Sequence, residues 1–163
     1  MARAAAVCAL LAVVLLVSEG SAAERPQPWA TVNVCDTAKH PNAIGIRASM
    51  PGRGRKGERM FVRFRVQWRD PADGLWHNLV EGGDSGFVRV GRSSGVRETG
   101  RIFRYEEPQA GSPQLLRGIV RFEWRRRGRV VKGLSRRTRA GHRSAAGSDP
   151  KGYSAATCRL RAG

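Results

Sequence analysis

Acidic side chains are scarce in this sequence. Its 163 residues hold 13 Asp and Glu against 30 Lys and Arg, a formal net charge of +17 at pH 7. Lysine is scarce too: only Lys39, Lys56, Lys132 and Lys151 are not arginine among the basic residues. Codon bias in a GC-rich genome explains arginine in place of lysine. It does not explain the shortage of acids, so the excess charge needs a physical account. Cysteine is limited to Cys8, Cys35 and Cys158, none with a C-x-x-C or C-x-x-H neighbour, which argues against a metal site of the usual spacing. The three histidines, His40, His77 and His142, lie in separate segments and favour surface or turn positions. No stretch has the periodicity of a long amphipathic helix, and there is neither an internal repeat nor a low-complexity tail. Past residue 17 no apolar run is long enough to span a bilayer as a helix.

The first residues point to export. Met1-Ala2-Arg3 is a short basic start, 4–17 is wholly apolar, and Ser21-Ala22-Ala23 supplies small residues before Glu24. This is the pattern of a cleaved secretory signal peptide over 1–23. Its apolar run is short for the alternative, an uncleaved anchor. Cys8 lies inside that run, not just after it, which argues against lipoprotein processing. Cleavage leaves 140 residues, the size of one domain, and removes one base and one acid, so the net charge stays at +17. Two cysteines remain near the ends of the mature chain, and in an exported protein such a pair is expected to form a disulfide, Cys35–Cys158.

After a proline-bearing lead-in, 24–28, one domain is expected over 29–163. Alternation predicts strands at 29–36, 43–50, 59–68, 75–80, 87–90, 100–106, 115–124, 129–138 and 153–160. The clearest is 59–68, where Met60, Val62, Phe64, Val66 and Trp68 face one way and Arg63, Arg65 and Gln67 the other. In 115–124, Leu116, Val120, Phe122 and Trp124 share one parity and Arg117, Arg121 and Glu123 the other. Arg126-Arg127-Gly128 reads as a hairpin tip. The intervening loops at 51–58, 70–74, 81–86, 107–113 and 140–152 carry glycine, proline and short polar residues. Short strands at near-regular spacing predict an all-β fold, a single antiparallel β-sandwich.

The alternating strand that ends Val66-Gln67-Trp68, the later L-x-G-x-V-x-F-x-W strand of Leu116 to Trp124, and the basic hairpin after it resemble immunoglobulin-like and fibronectin type III-like domains. With the closing 148–158 segment, they are also similar to small exported proteins of high-GC actinobacteria. The resemblance implies an immunoglobulin-like sandwich and no particular activity. Cysteines at the two chain ends depart from the central bridge of antibody domains. The resemblance also implies that the 59–69 and 115–125 strands are neighbours, with 129–138 on the far side of the second. Arg63, Arg65, Arg69, Arg117, Arg121 and Arg125 would then project from one outer sheet face, interrupted only by Glu123. Like charges directly opposite each other destabilise a sheet, and bound anions relieve them.

Other motifs carry less. Gly83-Asp84-Ser85-Gly86 and Thr37-Ala38-Lys39-His40 are similar to fragments of trypsin-like serine proteases. But Phe87 replaces the second glycine, no cysteine follows His40, and a double barrel does not fit the chain. Gly52 to Gly57 lacks the G-K-[ST] ending of a phosphate loop and precedes a strand. No cofactor or metal is expected. The expected function is therefore a non-catalytic exported binding or scaffolding module. Its partners would be an anionic cell-wall polymer, an anionic lipid surface or an acidic protein, held through the arginine face. The alternative is a small envelope hydrolase that uses dispersed acids and one histidine. A nucleic-acid binder is less favoured, because the aromatics mostly share the apolar parity, Phe61 being the exception.

Overall fold

The computed structural model describes residues 26–162, so the expected leader at 1–23 lies outside the described residues. Among the described residues nine strands follow in order: β1 (Trp29–Thr37), β2 (His40–Pro51), β3 (Glu58–Arg69), β4 (Trp76–Asn78), β5 (Asp84–Arg92), β6 (Val96–Arg104), β7 (Gln114–Arg126), β8 (Arg129–Arg137) and β9 (Thr157–Leu160). Among the described residues there is no helix, and hence none long and apolar enough to cross a membrane.

The strands form two packed antiparallel sheets, the all-β sandwich expected from the alternation. One is three-stranded in the order β1-β2-β6; the other has six strands and runs β4-β3-β7-β8. In the larger sheet β4 and β5 share the far edge of β3, while β8 and β9 share the far edge of β7. Thus β3 lies beside β7, with β8 beyond it. The β7–β8 hairpin closes through Arg127 and Gly128, both at positive φ (49° and 79°), as a two-residue loop of this twist requires.

The core lies where the parity puts it. Ile44, Ile46, Ala48 and Met50 of β2 face Met60, Val62, Phe64 and Val66 of β3 and Leu116, Val120, Phe122 and Trp124 of β7, all buried. Each large side chain among them contributes about 1.5–3 kcal/mol through burial. Gly118 is required among them, since a Cβ there would sit 2.7 Å from both Ile46 and Thr138. Trp68, against its expected core place, is only half-buried and packs against the core from its rim.

The C-terminal part departs furthest from the expected elements. A strand was expected over 153–160, but β9 begins at Thr157. The preceding residues lie across the outer side of β1 instead, where Val32 and Ala155 exchange backbone hydrogen bonds of 2.9 and 3.0 Å. Asn33 donates to the carbonyls of Gly147 (2.8 Å) and Ala146 (3.3 Å), and Thr37 donates to Asp149 (2.6 Å). His142 stacks on Trp29 at 4.2 Å, and burial there lowers its pKa below the usual histidine value. This cover buries Thr31 and Asn33, so β1 has no solvated face.

The expected disulfide is present. Cys35 and Cys158 are bonded with a Cα separation of 5.3 Å, tying the end of β1 to β9. The bridge agrees with an oxidising, extracellular compartment.

Candidate anion-binding face

Side chains of odd number on β3 and β7 point away from the core, so pairing register decides which cations meet. Arg63 lies opposite Arg121, Arg59 opposite Arg125, Phe61 opposite Glu123, and Gln67 opposite Arg117. Arg63, Arg65, Arg69, Arg117, Arg121 and Arg125 therefore belong to one outer face. The face also takes residues from the edge strands that the sequence pattern did not nominate. From β5, Asp84 lies opposite Arg65, Phe87 opposite Arg63, and Arg89 opposite Phe61. From β4, Trp76 lies opposite Arg69.

Two acids divide this face. Asp84 accepts from Nε of Arg63 at 2.8 and 3.0 Å. Its carboxyl is held below the usual range, first by that hydrogen bond, then by the Gly86 N–H and the charge of Arg63 and Arg65; Arg63 is raised in return. Glu123, with 7% of its surface exposed, bridges two guanidinium groups: Arg121 at 3.3 Å and Arg125 at 2.7 Å. Arg125 also lies over the rings of Phe61 (4.5 Å) and Phe87 (4.3 Å), with Arg63 5.7 Å from Phe87. Cation–π contacts of this kind contribute about 0.5–1 kcal/mol at exposed sites. The Met60 end of the face is thus a closed network in which two carboxylates offset part of the charge of three guanidinium groups.

The Trp68 end differs. Among the described residues, Arg65, Arg69 and Arg117 pair with no carboxylate. Nε of Arg65 is buried without a hydrogen-bond partner, and Arg69 donates only to the carbonyl of Gly74 at 3.2 Å. Arg117 donates to Gln67 at 2.8 Å, and its guanidinium lies 4.2 Å from the Trp76 ring. Burial lowers the Arg117 pKa, and the neighbouring charge of Arg137 lowers it further. The expected uniform row of six cations, broken only by Glu123, is corrected here. Asp84 breaks it as well, and the six separate into a carboxylate-paired group (Arg63, Arg121, Arg125) and an open group (Arg65, Arg69, Arg117).

The expected turn at 81–86 hid Asp84, which begins β5 instead. Gly86 (φ 63°) and Gly91 (φ 150°) flank the exposed stretch of that strand. Its pairing with β3 shifts register between Met60 and Phe61 and between Arg63 and Arg65, so simple alternation misassigns its faces. Those glycines were the available signal.

The remaining polar candidates are dispersed. Ser85 Oγ accepts from the Phe64 N–H (2.9 Å) and donates to the Gly86 carbonyl (2.8 Å), while His40 opens β2 on the other sheet. His77 of β4 and Asp73 of the 70–74 turn pair at 2.8 Å, near Asp70. Asp73 and Asp70 also accept from the backbone N–H groups of Leu75 and Ala72, as turn carboxylates do.

Removing the buried acid tests the closed network. Glu123→Ala should destabilise the fold by about 2–3 kcal/mol: a broken buried pair costs 3–5, and the half-exposed arginines moderate that. Asp84→Ala should cost less than 1 kcal/mol, as expected for an exposed pair. Urea unfolding of both variants gives the comparison, and equal small losses would mean Glu123 organises nothing. No protein-family model matches the chain, and no curated protein matches it.

Proposed function

We propose that this chain is an exported, non-catalytic binding or scaffolding module of immunoglobulin-like or fibronectin type III-like type, which engages an anionic envelope component through the outer face of its larger sheet. The observation that carries this is the open group, Arg65, Arg69 and Arg117, left without carboxylate partners on a face where other arginines have them. A fold that ion-pairs Arg63, Arg121 and Arg125 with carboxylates, Asp84 opposite Arg65 being taken up by Arg63, leaves the charge of these three for an external anion. Strand order supports the narrower fold type: β1-β2-β6 packs against a sheet in which β5, β3, β7 and β8 are successive neighbours. The signal-like N-terminus and the disulfide support export.

An anionic cell-wall polymer is the preferred partner, since a linear polyanion can lie along β3 and β7. Single-stranded nucleic acid is the second reading. It is favoured by Phe87, 38% exposed, and by Phe61 and Trp76, which bring three aromatic rings onto the cationic face.

Charge reversal separates a selected face from bulk charge. Arg65→Glu, Arg69→Glu and Arg117→Glu together should weaken retention on heparin and on poly(glycerol phosphate) by at least tenfold. The salt slope should flatten by about three contacts. The same reversal at Arg97, Arg101 and Arg104, on the other sheet, should leave retention nearly unchanged. Equal losses in both triple variants would assign binding to net charge and remove the face. A single-stranded oligonucleotide retained far more strongly than either polymer would favour the second reading.

A further inference from the structure

On the far edge of β7 two strands part company. β8 pairs with Ile119 to Arg126, and β9 takes over from Arg117 to Gln114. Thr138 is buried at the junction. Its hydroxyl accepts from the Gly118 N–H at 3.1 Å and donates to the carbonyl of Ala156 at 2.5 Å, which pins the segments on either side of the split. On the outer side the split opens a groove of about 500 Å³, whose walls include Trp76, Arg117, Ser135, Arg137, Arg139 and Thr157. No acidic residue lines it. Among the described residues, neither Arg137 nor Arg139 forms a salt bridge.

Like charges gathered this closely destabilise the sheet. Arg137 lies opposite Ile119, and Ile119 is two residues from Arg117 on the same side, so the two guanidinium groups are diagonal neighbours. Elsewhere on the same face crowded arginines share a carboxylate; here they share open space. The groove falls within the usual 300–1,000 Å³ range of small-ligand sites. It is larger than one tetrahedral anion and has room for the polyol or sugar that carries it. Guanidinium forks suit such oxyanions bidentately. The hydroxyls of Ser135 and Thr157 add neutral donors, and the Trp76 indole supplies an apolar wall.

We propose that this groove is an oxyanion subsite, in which Arg117, Arg137 and Arg139 hold one phosphate or sulfate ester of a bound polymer. This rests on the sheet face binding polyanions at all. It goes further by naming the chemical group and a place for it. The subsite fixes the polymer at one point, and Arg65 and Arg69 hold the adjoining stretch through charge alone.

The test uses small probes first. Glycerol 3-phosphate, glucose 6-sulfate and acetate are titrated into the mature protein while the indole N–H resonance of Trp76 is followed, assigned through Trp76→Phe. The phosphate or sulfate ester should shift that resonance saturably, and acetate should not. Arg137→Gln and Arg139→Gln should each weaken the response about tenfold, the loss expected for one charge-assisted contact. Arg97→Gln and Arg101→Gln, on the other sheet, should leave it unchanged. Both Arg137 and Arg139 are exposed, so unaltered melting temperatures should accompany their variants. In polymer binding each groove variant should reduce the salt slope by about one. A response to phosphate alone indicates a phosphodiester polymer, and to sulfate alone a sulfated glycan. Acetate binding as tightly, or equal losses in all four arginine variants, would overturn the subsite even with polymer retention intact. If the wild-type protein is not retained on any polyanion, the face itself falls with it.

Discussion

Reducing the Cys35–Cys158 bridge should remove about 5 kcal/mol of stability, the chain-entropy value for a loop of this size. The bonded residues are 123 apart in sequence, so the bridge spans nearly every strand. Its local setting sharpens the effect. β9 is four residues long and pairs with β7 only from Gln114 to Arg117. The cover over β1 depends on the same C-terminal stretch, through the Val32–Ala155 exchange and the Asn33 and Thr37 side-chain bonds. Without the bridge, β9 and this cover are the first segments expected to detach, exposing β1 along its outer edge. For a domain of this size, losing about 5 kcal/mol lowers the melting temperature by roughly 10–20 °C. Thermal melts with and without reductant, and of Cys35→Ala with Cys158→Ala, measure it. Hydrogen exchange should show protection lost first in 140–160. An unchanged melt, or two alkylatable thiols in the freshly exported protein, would show that the bridge contributes nothing.

The sequence pattern was most legible in strands buried on one side. β3 and β7 each have one apolar parity and one polar parity, and apart from Glu58 and Glu123 their buried residues are those the alternation assigns; β2 buries its assigned Ile44, Ile46, Ala48 and Met50, and Ala43, Gly45 and Ser49 of the other parity too. β5, β6 and β8 are exposed over most of their length on both sides, so no apolar parity marks their faces or ends. That is why β6 begins at Val96 instead of 100, and why Asp84 read as a turn residue. β1 fails for the opposite reason. It is buried on both sides, so Thr31 and Asn33 cannot be recognised as interior by alternation; their partners lie more than a hundred residues later.

The candidate site was half legible on the same grounds. Parity alone gathers Arg63, Arg65, Arg69, Arg117, Arg121 and Arg125 on one side of two strands. Which of them stay open is decided by pairing across the sheet. The Arg63–Asp84 contact joins residues 21 apart on neighbouring strands. The Arg117–Trp76 contact reaches across β3 from β7 to the β4 edge. Neither follows from local spacing. The groove at Arg137 and Arg139 depends on where one strand leaves the edge of β7 and another joins it, a property of topology alone.

Replacing Trp124 by alanine should destabilise the fold by about 3–5 kcal/mol, the range for truncating a large core aromatic. The residue is 1% exposed, its ring packs within the core contributed by β2, β3 and β7, and its backbone faces Met60. Two further contacts fix its orientation. The indole Nε1–H donates to the Pro51 carbonyl at 3.1 Å, joining the two sheets where β2 ends, and the Lys132 ammonium lies 5.3 Å from the ring. Trp124→Phe separates these contributions. It keeps most of the apolar area but leaves the Pro51 carbonyl without its donor, so it should cost about 1–3 kcal/mol. Denaturant melts of the two variants should therefore fall in the order wild type, Trp124→Phe, Trp124→Ala. The Ala variant should also lose the close packing of the β7–β8 hairpin, because Lys132 stands directly opposite Trp124 in the pairing. If Trp124→Ala melts like the wild type, the apolar parity of β7 faces solvent and Arg117, Arg121 and Arg125 face the core. The anion-binding face would then be lost with the sandwich that displays it.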